Sequence, residues 1–304
     1  MTDATQNQAL DTASEDIGEP SPAAALRRRI LGHKGLLTGG IIIAVLILLA
    51  IFAPLLAPHS PYAQSLPNRL LPPVWVDGGR WTYLLGTDHL GRDYLSRLLY
   101  GTRVSLIIGL GAASISCVIG VSMGICAGYF GGRVDQIISY LLTCQLAMPG
   151  LLIVTALVFL IGPSLLVVTL VIGATHWTLY LVVSRSAAMQ IRQLDYIAAA
   201  LSIGSNRRQV LFYEVLPNLL NQVIVIFTLE IGVAILAEAA LSFLGVGLQP
   251  PTPAWGLMIA EGKTAMFFQP WLVILPGAML FVLVIAINLV GDGIRDVTAP
   301  EHRN

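Results

Sequence analysis

Residues 136–184 read QIISYLLTCQLAMPGLLIVTALVFLIGPSLLVVTLVIGATHWTLYLVVS, a run of 49 positions without Asp, Glu, Lys or Arg. A hydrocarbon core of about 30 Å is crossed by roughly 20 apolar residues in a helix, so this run is too long for one crossing and suits two. Gly162-Pro163-Ser164 interrupts it near the middle and reads as a tight turn between two antiparallel spans. Working outward, the same criterion marks residues 36–56, the uncharged stretch between Arg103 and Arg133, residues 217–244 and residues 270–290. The expected fold is an all-α membrane protein with six transmembrane helices.

Composition points the same way. The 304 residues are 56% hydrophobic and 11% charged, with 17 Lys+Arg against 17 Asp+Glu and a mean hydropathy of +0.78. Soluble domains are about 25% charged, so the composition argues against a water-soluble enzyme. A neutral chain with so few charges is also no polyelectrolyte for nucleic acid. Cys117, Cys126 and Cys144 sit in apolar runs without a CxxC pair and read as small hydrophobes.

With the N-terminus in the cytoplasm, 11 basic residues fall inside and 6 outside, as the positive-inside rule requires. Residues 1–33 read as a disordered cytoplasmic tail. Residues 34–101 read as the first span and a long outer loop, 102–294 as a five-helix core with a cytoplasmic loop at 185–216, and 295–304 as a cytoplasmic tail. The first apolar run lacks an A-x-A cleavage site and reads as an uncleaved span.

Catalytic signatures are missing. The five histidines form no HExxH, and there is neither a GxSxG nor a GxxxxGK[ST] loop. The chain is expected not to be an enzyme and to hold no metal. Gly120, Gly124 and Gly128 recur on one helix face, a spacing that lets two backbones approach closely, within the bundle or between subunits.

Glu230 and Glu238 are separated by eight residues, hence within about 80° around one helix and about 12 Å along it. Intramembrane carboxylates are costly and usually face a cavity or a polar partner. They fit a polar path, a proton relay, or a bracing contact at the helix end. Between the fourth and fifth spans, Asp195 suits a helix start, Ala198–Leu201 favour helix, and Gly204 suits a C-terminal cap or a close-contact turn. The product is a short helix with a small-residue face, suited to docking into a groove on a soluble partner.

Residues 196–217, YIAAALSIGSNRRQVLFYEVLP, resemble the EAA loop of permease subunits in ATP-binding-cassette importers, with Ala198 at the acidic first position. Residues 85–101, LGTDHLGRDYLSRLLYG, are similar to the outer-loop signature of the dipeptide/oligopeptide/nickel permease family. So are GYFGG at 128–132, EAALSFLG at 238–245 followed by QPPTPAWG at 249–256, and NLVGDGIRD at 288–296. The extra first span and long outer loop resemble the C-type dipeptide permease. Two positions depart: Thr143 stands where the family commonly has Asp, and the C-terminal ending is altered at Thr298-Ala299-Pro300-Glu301.

The resemblance implies a type I ABC importer permease in the bacterial inner membrane, with both termini cytoplasmic. Its implied partners are a homologous second permease subunit, two ABC ATPase subunits carrying ATP and Mg, and a periplasmic or extracellular substrate-binding protein, all amid membrane lipid. Asp195, Tyr196, Ala199, Ala200, Gly204 and Arg207 would couple to an ATPase subunit. Glu230, Glu238, Ser242 and Met148 would line or gate the path. Pro250, Pro251 and an exposed Trp255 would meet the binding protein. Dipeptides or short peptides are the expected cargo, with nickel complexes, glutathione or opines as alternatives. A secondary transporter using the two glutamates is the competing class.

Overall fold

The computed structural model describes residues 22–298. Residues 1–21 and 299–304 of the expected tails lie outside these. The rest of the N-terminal tail departs from expectation: α1 (Pro22–Gly32) is helical. Proline at the first helical position followed by Ala23-Ala24-Ala25 explains it, since proline is pre-set for a helix start and alanine has the highest helix propensity. His33 then begins α2 (Lys34–Leu56), its ring Nδ1 accepting from the Leu36 N–H at 3.0 Å.

The longest helix, α3 (Tyr94–Phe130), starts at Tyr94, inside the segment expected to be outer loop. Asp93 caps it, its Oδ2 accepting from the Ser96 N–H at 2.9 Å. The uncharged 136–184 run forms α4 (Gly132–Leu146), α5 (Gly150–Ile161), α6 (Leu165–Thr175) and α7 (Thr178–Arg192). The expected turn at Gly162-Pro163-Ser164 separates α5 from α6, and Ser164 caps α6. An unforeseen break separates α4 from α5, which meet at 85° around Ala147-Met148-Pro149. Proline lacks an N–H and biases the preceding residue away from helix.

After α8 (Asp195–Ser202), a helical turn at Arg207–Gln209 and a π-helical turn at Val210–Val215 lead directly into α9 (Leu216–Phe243). A short α10 (Trp255–Gly262) precedes α11 (Trp271–Thr298), which absorbs the first residues of the expected C-terminal tail. Among the described residues, five helical rods are long and apolar enough to cross a membrane, and six if the bent α4–α5 pair is one span.

The bundle is organised around α3, which packs on α2, α6, α7 and α9. The glycine stripe explains its closest contact. A Cβ at Gly124 would lie 2.7 Å from the Leu181 carbonyl oxygen and the Ser184 Cβ, and one at Gly128 2.5 Å from the Arg185 oxygen. The stripe is therefore internal packing of α3 against α7. Both helices run the same way, because Gly120 meets Trp177 and Tyr180 while Gly128 meets Arg185 and Ala188.

Candidate functional site

The 193–209 segment is held to the bundle by Ile197, with half-buried Ala200 packed on the same cluster. Ile197 is buried with Ile191, Val210, Val215 and Leu219, while Tyr196, Ala199, Leu201, Ile203 and Gly204 are exposed. Ile203, 85% exposed, is the most open of these apolar side chains. Helix α8 opens with Leu194 as cap residue and Asp195 just inside, so the Asp195 carboxylate lies in the first turn but is not the cap. It still complements the positive end of the helix dipole.

Gly204 ends α8 with φ of +92°. Its N–H donates to the Leu201 oxygen at 3.1 Å, and the Ser205 N–H to the Ala200 oxygen at 3.0 Å. This paired closure satisfies two carbonyls at the helix end and needs a left-handed residue, normally glycine. Nothing lies within 4 Å of the place where a Gly204 side chain would begin. Gly204 thus serves as a turn residue with open space in front of it. Arg207 is exposed on the following turn.

At the opposite end of α9, Glu238 is fully buried and its Oε1 accepts from the Ser242 hydroxyl at 2.7 Å. Ser242 Oγ in turn accepts from the Leu248 N–H at 3.1 Å, tying the carboxyl to the turn after the helix. Glu230 is buried about two turns below, with its Oε2 lacking a partner among the described residues. Met148 lies on a different element, exposed in the α4–α5 break. Pro250 and Pro251 are exposed, but Trp255 is not: it is fully buried, and its indole N–H donates to the Leu98 oxygen at 3.0 Å. The expectation of an exposed Trp255 is corrected. Gly101 leaves no side chain where the indole sits, which lets the ring pack directly on α3.

The reading of the sequence missed an ion-pair network beside this tryptophan. Arg92 and Arg97 are fully buried, and each sends an Nη2 to Glu261 on α10, at 3.0 Å and 2.9 Å. Arg92 Nε also donates to Asp88 Oδ2, and Arg97 Nε lies 3.5 Å from the same oxygen. The 57–93 loop, the start of α3 and α10 are thereby held together. The Asp88-x-x-x-Arg92 spacing was visible, but Glu261 lies 169 residues from Arg92 and carries no local signal. Asp88, His89 and Glu261 bring possible ligand atoms within 4.8 Å of one another. Glu261 already accepts from both guanidiniums and Asp88 from Arg92, with Arg97 nearby, and a divalent cation there would crowd further positive charge against them. The arrangement is an ion-pair clamp.

The family described as "binding-protein-dependent transport system inner membrane component" matches residues 120–304. The chain belongs to this family. A second pattern, the N-terminal transmembrane domain of oligopeptide transport permease C, matches residues 21–73. The permease is 40% identical over 285 residues to the di/tripeptide transport system permease protein of Pseudomonas aeruginosa, covering 94% of both chains. It is 42% identical to the dipeptide transport system permease protein of Haemophilus influenzae, over 88% of this chain and 91% of the relative. A glutathione transport system permease protein of Pectobacterium atrosepticum is 35% identical over 91% and 90%. Among solved structures, the inward-facing MetNI methionine ABC transporter superposes with a TM-score of 0.54 at 17% identity, covering 67% of this chain and 98% of that one. The fold is that of a type I ABC importer permease, and the protein is a non-catalytic membrane subunit of such an importer. Membership of this family displaces the secondary-transporter reading.

Proposed function

We propose that this permease forms half of the translocation path of an ATP-driven importer for dipeptides or short peptides in the bacterial inner membrane. The observation that carries the reading is α8, anchored by buried Ile197 and half-buried Ala200 while Tyr196, Ala198, Ala199, Leu201 and Gly204 stay exposed. Tyr196, Ala199, Ala200 and Gly204 seat in an ATPase subunit, with Asp195 and Arg207 flanking the contact. ATP and Mg are held by two such ATPase subunits, and a homologous permease supplies the other half of the path. Both termini and the 185–216 loop face the cytoplasm.

On the outer side, Pro250 and Pro251 contribute to the surface that receives a substrate-binding protein. Trp255, packed on α3, positions that surface from beneath. Glu230 and Met148 border the path, while Glu238 and Ser242 brace its outer end. The peptide assignment is supported by relatives whose names specify dipeptides or di/tripeptides, and glutathione is the runner-up on the same grounds.

The test is purification from the native host in mild detergent, mass spectrometry of the retained subunits, and uptake in proteoliposomes with the binding protein added. A second permease, P-loop ATPases and ATP-dependent uptake of a labelled dipeptide support the reading. Uptake of glutathione in preference to dipeptide reassigns the cargo, and a chain that retains no ATPase refutes the coupling.

A further inference from the structure

Behind α8, where the loop folds back against the π-helical turn, lies a cavity of ≈ 200 Å³ lined by Ala200, Ser205, Gln209, Val210, Tyr213 and Glu214. That is below the roughly 300–1,000 Å³ of typical small-molecule sites, and suits one long side chain better than a separate ligand. Its floor is Val210, 1% exposed, and one wall is Tyr213, 76% exposed. The backbone around it is saturated from within: Gln209 Oε1 accepts from the Asn206 N–H at 2.9 Å, and the Ser205 N–H is spent on Ala200. The Asn218 side-chain amide donates to the Glu214 carbonyl at 2.6 Å, fixing the turn that carries the carboxylate.

Glu214 is the only charged residue lining the cavity, and its carboxylate makes no ion pair or hydrogen bond among the described residues. The cations of this loop, Arg192, Arg207 and Arg208, are exposed and do not line it. The groove thus presents an apolar floor, an aromatic face and an unpaired carboxylate beside the helix that faces the partner.

We propose that this groove receives an arginine or lysine side chain of the ATPase subunit seated on α8. The aliphatic stem covers Val210 and Ala200, the cation lies against the Tyr213 ring, and its head pairs with Glu214. The contact adds a directional charge pair to the otherwise uncharged exposed face of α8 beyond Asp195, so the ATPase is held against sliding along α8 as well as against lifting from it. The inference rests on the proposed docking of an ATPase to this loop.

The test uses the assembled importer with Glu214→Gln, Glu214→Asp and Glu214→Lys in the permease, each matched for amount in the membrane. Retention of the ATPase subunits is titrated against salt. Glu214→Gln is expected to weaken retention about tenfold, the order expected for losing one charge-assisted hydrogen bond. Glu214→Asp retains most of it, and Glu214→Lys loses more than Glu214→Gln. Separately, Tyr213→Cys with a short thiol cross-linker is expected to capture an ATPase peptide containing Arg or Lys at the joined site. If the wild-type complex holds its ATPases and Glu214→Gln holds them equally at every salt concentration, the groove assignment is overturned and the proposed function stands. A captured peptide without a basic residue overturns it as well. If the wild type retains no ATPase at all, both fall.

Discussion

Arg97 near the start of α3 and Glu261 on α10 are 164 residues apart in sequence and 2.9 Å apart in space, with the guanidinium fully buried. The pair joins two elements that also meet through the Trp255 indole N–H, which donates to the Leu98 oxygen. Buried pairs contribute little net stability, yet removing one partner strands the other charge at a cost of about 3–5 kcal/mol. Glu261→Gln, which leaves Arg92 and Arg97 facing a neutral amide, is expected to cost about 3 kcal/mol. A scan of thermal stability in detergent, with Glu261→Asp as the partial control, checks it. An unchanged midpoint for Glu261→Gln would mean that the clamp carries no load.

Gly124 has no room for a side chain, since Leu181 and Ser184 of α7 both lie 2.7 Å from the position a Cβ would take. Gly124→Val must push α7 away, at the upper end of the about 1–3 kcal/mol typical of overpacking. Gly40, which has nothing within 4 Å of its Cβ position, is the comparison site. Gly40→Val should lie near wild type and Gly124→Val well below it in thermal midpoint.

At Gly204 two effects separate by size of substituent. Alanine meets no neighbour but must adopt φ near +92°, a strain of about 1–2 kcal/mol confined to the end of α8. Tryptophan adds bulk in the open space where the ATPase is proposed to sit. Gly204→Ala is expected to reduce ATP-driven uptake partially, and Gly204→Trp to abolish it with membrane insertion intact. Normal uptake by Gly204→Trp refutes the docking assignment.

Glu238 accepts from Ser242, and an amide oxygen can do the same. Glu238→Gln should therefore keep uptake within about twofold of wild type, whereas Glu238→Leu leaves the Ser242 hydroxyl without its acceptor and costs about 1–3 kcal/mol. Uptake assays on both variants decide the matter. Loss of uptake in Glu238→Gln with full stability would show that the ionised carboxylate itself is required.

Spans were readable because lipid demands long uncharged helices, and the 136–184 run and its Gly162-Pro163 turn carried that demand openly. The α4–α5 break was less legible: Pro149 was in view, but an apolar helix with a bend and one without have nearly the same composition. The loop at 193–209 was readable for its Ala and Gly residues and its closing turn. Trp255 was not, because its burial depends on the missing side chain at Gly101, 154 residues earlier. Glu214 carries no local signal for a related reason. A surface glutamate becomes notable only when the fold sets it in a groove without a counter-charge.

The 85° elbow at Ala147-Met148-Pro149 has a consequence for the solvent around it. A straight helix closes its peptide dipoles on itself, but at an elbow some carbonyls point outward without a following N–H to meet them. Hydrocarbon offers those oxygens nothing, and non-helical backbone persists at membrane depth only against protein or water. With α4 and α5 as one crossing, and residues 147–150 exposed, one permease alone in lipid is an incomplete solute. Its elbow seeks either a neighbouring chain or a wet lumen.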